Sequence, residues 1–271
     1  MFLVTGATGT AGGAVVREFA GTGEPVRALV RKPDAVVPGA EPVVGDLNDP
    51  ASVPFEGVTG VFLLSGYADM PGLLARARAA GVERVVLLSG GSAALADLDN
   101  AVSRYMTLSE RAVRESGLAW TFLRPRAFMS NALRWLPQLR AGDEVRVQYP
   151  DVPAACVDPG DIAAVAVRAL RGGHEGRIYD LTGPEALLPA QQVAVLGRVL
   201  SRDLRAVGLS DEETRAEMAA AMPADYVEAF AQFYAEGKLD EATVHPDVAE
   251  VTGRAPRTFE QWARENADAF R

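Results

Sequence analysis

The sequence predicts a doubly wound α/β fold: a mostly parallel sheet covered by helices on both faces, followed by a smaller, mainly helical C-terminal part. Three observations predict it. Short apolar runs alternate with longer amphipathic stretches over the first 125 residues, as expected of parallel strands buried on both faces between crossover helices. The 271 residues are 48% hydrophobic and 23% charged, enough for one large domain or a core with a smaller appendage. A glycine-rich turn joins the first apolar run to the first amphipathic stretch.

The elements follow in order. Residues 2–4 (Phe-Leu-Val) read as a buried strand, and residues 10–20 as a helix with Ala14, Val15 and Phe19 at helical spacing. Residues 26–30 form the second strand, 42–44 a short third ending at Gly45-Asp46, and 61–64 the fourth. A helix over 70–80 stops at Gly81. The fifth strand is 85–88, a helix over 100–116 closes at Gly117, and 120–123 is the sixth strand. Beyond Pro125 the rhythm loosens. Residues 142–147 and 154–157 are expected as short strands, 158–170 as a helix with Asp158 or Asp161 in its first turn, and 178–181 as one more strand. From residue 189 onward the chain reads as mainly helical. The expected division is a core over 1–182, with a short excursion near 142–157, and a lobe over 183–271.

Charge and cysteine usage exclude several classes. The formal net charge is −9, and residues 201–271 hold 15 acidic against 8 basic side chains. An acidic chain lacks the clustered cations that phosphate backbones require, so no nucleic-acid partner is expected. The single cysteine, Cys156, forbids an internal disulfide, and with only His174 and His245 beside it no metal site is expected. Cys156 reads as a small buried hydrophobe and the histidines as surface-loop residues. No apolar run reaches membrane-spanning length, and the first residues carry no basic, signal-like segment. A cytoplasmic protein without membrane contact, monomer or homodimer, is the expectation.

Residues Gly6-Ala7-Thr8-Gly9-Thr10-Ala11-Gly12 carry the chemistry. Glycines let backbone amides approach a pyrophosphate without Cβ clash, and a helix N-terminus adds orphan donors and positive dipole. The end of the second strand selects the nucleotide. A fold choosing NAD(H) places Asp or Glu there for the ribose hydroxyls; here the place reads Leu29-Val30-Arg31-Lys32. Arg31 can grip a 2′-phosphate bidentately and Lys32 adds charge, so NADP(H) is preferred over NAD(H). Asp46 either meets the adenine edge, with Leu47, or caps the following turn.

Further motifs extend the pattern: Val4-Thr5-Gly6-Ala7-Thr8-Gly9, Gly45-Asp46-Leu47, Leu87-Leu88-Ser89, Gly117-Leu118-Ala119-Trp120-Thr121, Leu123-Arg124-Pro125, Phe128-Met129-Ser130-Asn131 and Asp161-Ile162-Ala163. Together they resemble the NmrA-like branch of atypical short-chain dehydrogenases/reductases, through about residue 182. That resemblance implies a Rossmann core with a C-terminal substrate lobe. It implies NADP(H) held along Gly6, Thr8, Gly9, Thr10, Ala11 and Gly12, by Arg31, and at the strand ends through Ser65, Gly66 and Ser89. Arg124, Pro125 and Arg126 are expected to flank the nicotinamide, because the end of the sixth strand lies at the carboxyl edge where ligands bind. Tyr67, Phe128 and Met129 are expected on the substrate side; Phe128, Met129 and Trp135 fit core packing equally.

The chain departs from that family's pattern in one respect. The Tyr-x-x-x-Lys pair of most short-chain dehydrogenases is absent: Tyr105 is followed four residues later by Ser109, and the helix has no lysine. In the family pair the lysine charge lowers the tyrosine pKa for proton transfer. Tyr105, with Ser89 as hydrogen-bond partner, remains the candidate proton donor, beside its reading as a packed aromatic. Glu110 matches a glutamate common in this branch and reads as structural. Acceptors that stabilise added electrons, such as quinones, enones or conjugated aromatics, need placement more than acid catalysis. The expected activity is NADPH-dependent hydride transfer to such a small molecule. The rivals are a non-catalytic NADP(H) sensor and an isomerase-like pathway enzyme on the same fold.

Overall fold

The computed structural model describes residues 1–270. Its central sheet has seven strands: β1 (Phe2–Val4), β2 (Val26–Val30), β3 (Glu41–Val44), β4 (Gly60–Leu64), β5 (Arg84–Leu88), β6 (Ala119–Pro125) and, after one excursion, β8 (Arg177–Leu181). Their order is β3-β2-β1-β4-β5-β6-β8, and every pairing is parallel. The chain leaves β1 toward one side of the sheet and returns at β4 on the other, which opens a crevice at the carboxyl ends of the strands.

Two helical layers cover the sheet. On one face α1 (Thr10–Ala20) and α5 (Pro159–Arg171) pack over Val4, Val30 and Phe62. On the other, α2 (Met70–Ala79) and α3 (Ala101–Glu115) pack over Leu3, Leu29 and Leu63. Neighbours Leu3 and Val4 point to opposite faces, as the period-two alternation of a strand demands. Asp158 caps α5, its Oδ1 accepting from Gly160 N at 2.7 Å. Asp161 in the same first turn is fully buried and holds the tail: Arg254 Nη1 donates to it at 2.6 Å and Arg257 N at 2.7 Å.

The excursion after β6 runs through a 3₁₀ turn (Met129–Trp135), α4 (Leu136–Ala141) and β7 (Glu144–Val147). Beyond β8 come α6 (Pro189–Leu200), β9 (Arg205–Gly208), α7 (Asp211–Ala219), α8 (Ala224–Tyr234), α9 (Asp247–Thr252) and α10 (Phe259–Glu265). β7 pairs with β9 in a separate two-stranded parallel sheet, a strand the helical reading of the tail did not contain. The expected strand over 154–157 is instead an extended segment with single bridges, Phe128 to Val157 and Ala154 to Leu187. Trp135, Val145, Leu196 and Trp262 form the core of this second body. Two tail helices return to the first body: α9 puts Val248 into the α1–α5 core, and α8 packs on α3. At that second contact Asn100 caps α3 through Oδ1 and donates from Nδ2 to the Ala229 carbonyl at 3.1 Å. No helix among the described residues is long and apolar enough to cross a membrane.

Candidate functional site

The glycine turn leaves β1 at Gly6, whose φ of +60° is left-handed and which a side chain would force against Leu64, 2.5 Å from a Cβ. Gly9 N donates back to the Gly6 carbonyl at 2.9 Å. A Cβ at Gly12 would lie 2.6 Å from the Thr5 carbonyl oxygen and closer still to that of Gly6, so only glycine lets the helix sit on the turn. Gly9 is the N-cap of α1 and no side chain caps the helix. Thr8, Gly9 and Thr10 are exposed there, while Ala11 and Gly12 are buried. Uncapped amides, a positive dipole end and a cradle that Cβ atoms would fill suit a pyrophosphate.

Arg31 and Lys32 lie exposed at the end of β2, and neither has an ion pair among the described residues. Tyr67 stands near them. Burial raises its phenol pKa, the Asp46 charge raises it further, and the Arg31 charge opposes both. Arg31 and Asp46 are thus the charges that act on Tyr67, and Tyr67, expected among the substrate contacts, lines neither chamber described below. Asp46 closes its own turn, its Oδ1 accepting from Asn48 N at 2.9 Å. The Leu47 side chain is buried in the core beside α2 rather than turned to the rim.

At the carboxyl ends of β4, β5 and β6 lies an inner chamber of about 390 Å³, lined by Ser65, Ser89, Tyr105, Pro125, Arg126 and Phe128 among others. Ser65 Oγ donates to the Leu88 carbonyl at 2.8 Å, and Gly66 N donates to Ser109 Oγ at 3.0 Å. Gly66 packs on the Tyr105 ring. Burial pushes the Tyr105 phenol up to about 12, with Tyr226 adding to the rise. Its hydroxyl makes no hydrogen bond among the described residues. The expected Tyr105–Ser89 pair is not formed: Ser89 Oγ donates to Glu110 Oε1 at 2.8 Å. Glu110, 1% exposed, also receives Arg124 through Nε at 2.9 Å and Nη2 at 2.8 Å, and Arg114 at 3.0 Å. Arg124 is thus spent on a buried carboxylate beneath the chamber wall. Met129 is fully buried in the second core and lines neither chamber, whereas Phe128 lines both.

An outer chamber of about 450 Å³ adjoins the inner one under the second body. Ala127, Phe128, Asn131, Phe230 and Tyr234 line both. Cys156 is buried in the outer wall, and burial holds its thiol up at about 12, far from a nucleophile.

Glu241, Tyr234 and Arg134 escaped the sequence reading; Arg126 was expected beside the nicotinamide and His245 on the surface. Glu241, 6% exposed, reaches the inner chamber from the tail, its Oε2 accepting from Ala127 N at 2.8 Å. Burial raises its pKa from the ordinary 4.5. The Ala127 amide and Arg126 oppose that rise, Asp240 adds to it, and the neighbouring Tyr234 hydroxyl offsets it slightly. Tyr234 is itself held neutral, chiefly by burial. Arg126 is nine-tenths buried; its Nη1 lies 3.3 Å from Asp180 without hydrogen-bond alignment, and its Nη2 is 3.4 Å from the His245 ring. His245 is therefore half-buried at the site, not a surface residue. Arg134 faces the outer chamber. No local pattern could mark Glu241, Tyr234 or His245, which arrive from more than 100 residues away; Arg126 follows Pro125 directly, and its position alone was the signal.

The geometry agrees with comparison to other proteins. A family model described as NAD(P)H-binding matches residues 6–172. The chain is 44% identical to the (4-alkanoyl-5-oxo-2,5-dihydrofuran-3-yl)methyl phosphate reductase of Streptomyces griseus, over 100% of this chain and 99% of the relative. It is 35% identical to the NAD(P)H azoreductase of Xenophilus azovorans, again over 100% and 99%. Among solved structures, an NADPH-dependent quinone oxidoreductase from Escherichia coli shares the fold with a TM-score of 0.81 at 23% identity, covering 100% of both chains.

Proposed function

The chain belongs to the NAD(P)H-binding family, and from that premise we propose that it is an NADPH-dependent reductase of small conjugated acceptors. Quinones, enones and unsaturated lactones are the substrate class. The observation that carries this reading is the pair of adjoining chambers, an inner one at the ends of β4, β5 and β6 and an outer one walled by Trp135, Phe230 and Tyr234 together with polar side chains. The Streptomyces relative is named for an oxo-dihydrofuran bearing an alkanoyl group, an electron-poor alkene of the kind that accepts hydride by placement.

In this reading residues 1–182 hold the nucleotide and residues 183–271, with the 142–157 excursion, shape the substrate lobe, save that α9 returns to the core. The uncapped α1 turn binds pyrophosphate, and Arg31 and Lys32 favour the 2′-phosphate of NADPH over NADH. Bound NADPH supplies hydride from its nicotinamide. Ser65, Gly66, Pro125 and Arg126 form the wall that orients the ring. Phe128, Phe230 and Trp135 exclude water and pack the acceptor. Burial favours the protonated form of Glu241, whose Oε2 accepts the Ala127 amide. Tyr234, which lines both chambers and hydrogen-bonds that carboxyl, passes a proton to the acceptor oxygen. One hydride and one proton complete a two-electron reduction. A soluble, cytoplasmic setting belongs to the same reading.

The test is NADPH consumption by the purified protein with a panel of quinones, enones and unsaturated lactones. Turnover with at least one class supports the proposal. Binding of NADPH with no oxidation across the panel would make the chain a sensor instead.

A further inference from the structure

We infer that the outer chamber is built for an acceptor carrying an anionic group of the phosphate or sulfonate class, and that Arg134 is the residue that binds it. This deepens the reductase reading and rests on it only for the identity of the acceptor's other end.

The chain carries 36 acidic and 27 basic residues, yet no Asp or Glu lines the outer chamber, and Arg134 is its one cation among the described residues. Arg134 makes no ion pair and no hydrogen bond among the described residues; its guanidinium lies 5.7 Å from the Trp135 ring centroid. The other two guanidinium groups of the site differ: Arg124 is bonded to Glu110, and Arg126 lies beside Asp180. Arg134 lines the chamber while staying exposed to solvent; the protein packed around it lowers its pKa, and Tyr234 and Cys156 of the same chamber are the groups whose charge bears on it. A cation with no counter-charge, set against an apolar wall, attracts an anion more strongly than one already paired with a carboxylate does.

The surroundings suit the rest of such a ligand. Ser130, Asn131, Gln148 and Gln192 line the same chamber and carry donors for further anion oxygens. Gln192 Nε2 reaches only the Cys156 sulfur, at 3.5 Å, a weak contact easily exchanged. Trp135, Met218, Met222 and Phe230 offer apolar wall for a hydrocarbon body. Asn131, Phe128 and Tyr234 join this space to the inner chamber, so an anion on Arg134 leaves the other end of its molecule beside the strand ends.

The experiment uses the full chain and two matched acceptor pairs: 1,4-naphthoquinone with its 2-sulfonate, and an unsaturated hydroxymethyl lactone with its phosphate ester. In the wild type kcat/KM is higher for the charged member of each pair. Arg134→Gln lowers the charged-to-neutral ratio by about tenfold to a hundredfold, the span of a hydrogen bond to a charged group, and Arg134→Lys recovers part of it. Titration calorimetry with phenyl phosphate, measured with and without NADPH, reads the site without turnover. The wild type and Arg134→Lys bind, and Arg134→Gln loses most affinity. An unchanged ratio, equal phenyl phosphate binding by wild type and Arg134→Gln, or an equally large loss of NADPH affinity in that variant would overturn the assignment. Failure of every acceptor to consume NADPH would overturn the reductase reading, while calorimetry would still decide on Arg134.

Discussion

Ser89 donates its hydroxyl hydrogen to Glu110 at 2.8 Å, and Arg124 closes on the same carboxylate with two bonds. The ends of β5 and β6 are thereby tied through one buried acid on α3. That part of the inner chamber's wall is held by ion pairs to one acid, and Ser89 is unavailable as a partner for Tyr105.

Removing that acid should be expensive. Glu110→Ala leaves Arg124 partly buried without its counter-ion and is expected to lower stability by about 3–5 kcal/mol. Thermal or denaturant unfolding measures this, and Ser89→Ala, which deletes one bond of the set, should lose only about 1 kcal/mol. Equal losses would mean that Glu110 does not organise the wall.

The proposed cofactor choice is tested at Arg31. Arg31→Asp places a carboxylate where the 2′-phosphate is proposed to lie, and kcat/KM for NADPH should fall about tenfold to a hundredfold while NADH is spared. Parallel losses with the two nucleotides would remove Arg31 from that role.

Gly12→Ala tests the turn. The added methyl meets the backbone carbonyls of Gly6 and Thr5, neither of which can swing aside as a flexible side chain would. A stability loss of about 1–3 kcal/mol is expected, together with weakened NADPH binding by calorimetry. Wild-type affinity in a folded Gly12→Ala protein would show that the turn does not carry the pyrophosphate.

Glu241 sets a pH dependence with a definite sign. Its pKa is raised in the folded chain above the ordinary 4.5, so the folded state keeps a proton that the unfolded chain releases. Its contribution to stability is full below about pH 4.5 and drains as pH climbs through the raised value. Glu241→Gln should flatten that part of the stability–pH curve and lower kcat. A variant with the wild-type curve would place the titration elsewhere.

Two tyrosines compete as proton donors. Tyr234→Phe is expected to reduce kcat at least tenfold, within the usual range for a lost acid, and Tyr105→Phe to change it about twofold or less. The reverse order in steady-state rates would return the role to Tyr105.

The core of the fold and the shape of the glycine turn were legible because their signals are local. Gly6 to Gly12 is one turn, and its job of strand exit, amide display and helix start needs no distant residue. Continuous apolar strands such as 61–64 and 85–88 announce a sheet buried on both faces. Asp158 caps α5 for an equally local reason. What escaped depends on pairing across long stretches of chain. β9 is a strand because β7 lies beside it, some 60 residues earlier, and its own four residues carry no strand pattern. Residues 154–157 look like a strand but find only single bridges.

Composition, apolar spacing and the glycine turn by themselves determined a doubly wound sheet, a glycine-built strand-to-helix turn at its opening and a basic pair at the second strand end. Only the tertiary structure decided which side chains meet in the chambers. It turned Ser89 to Glu110, sank Leu47 and Met129 into cores, brought Glu241 and Tyr234 from the tail to the strand ends, and left Arg134 without a carboxylate. Hydrogen-bond periodicity acts over a few residues and can be read in order along a chain. Charge pairing and desolvation act through space, between groups that the sequence keeps far apart.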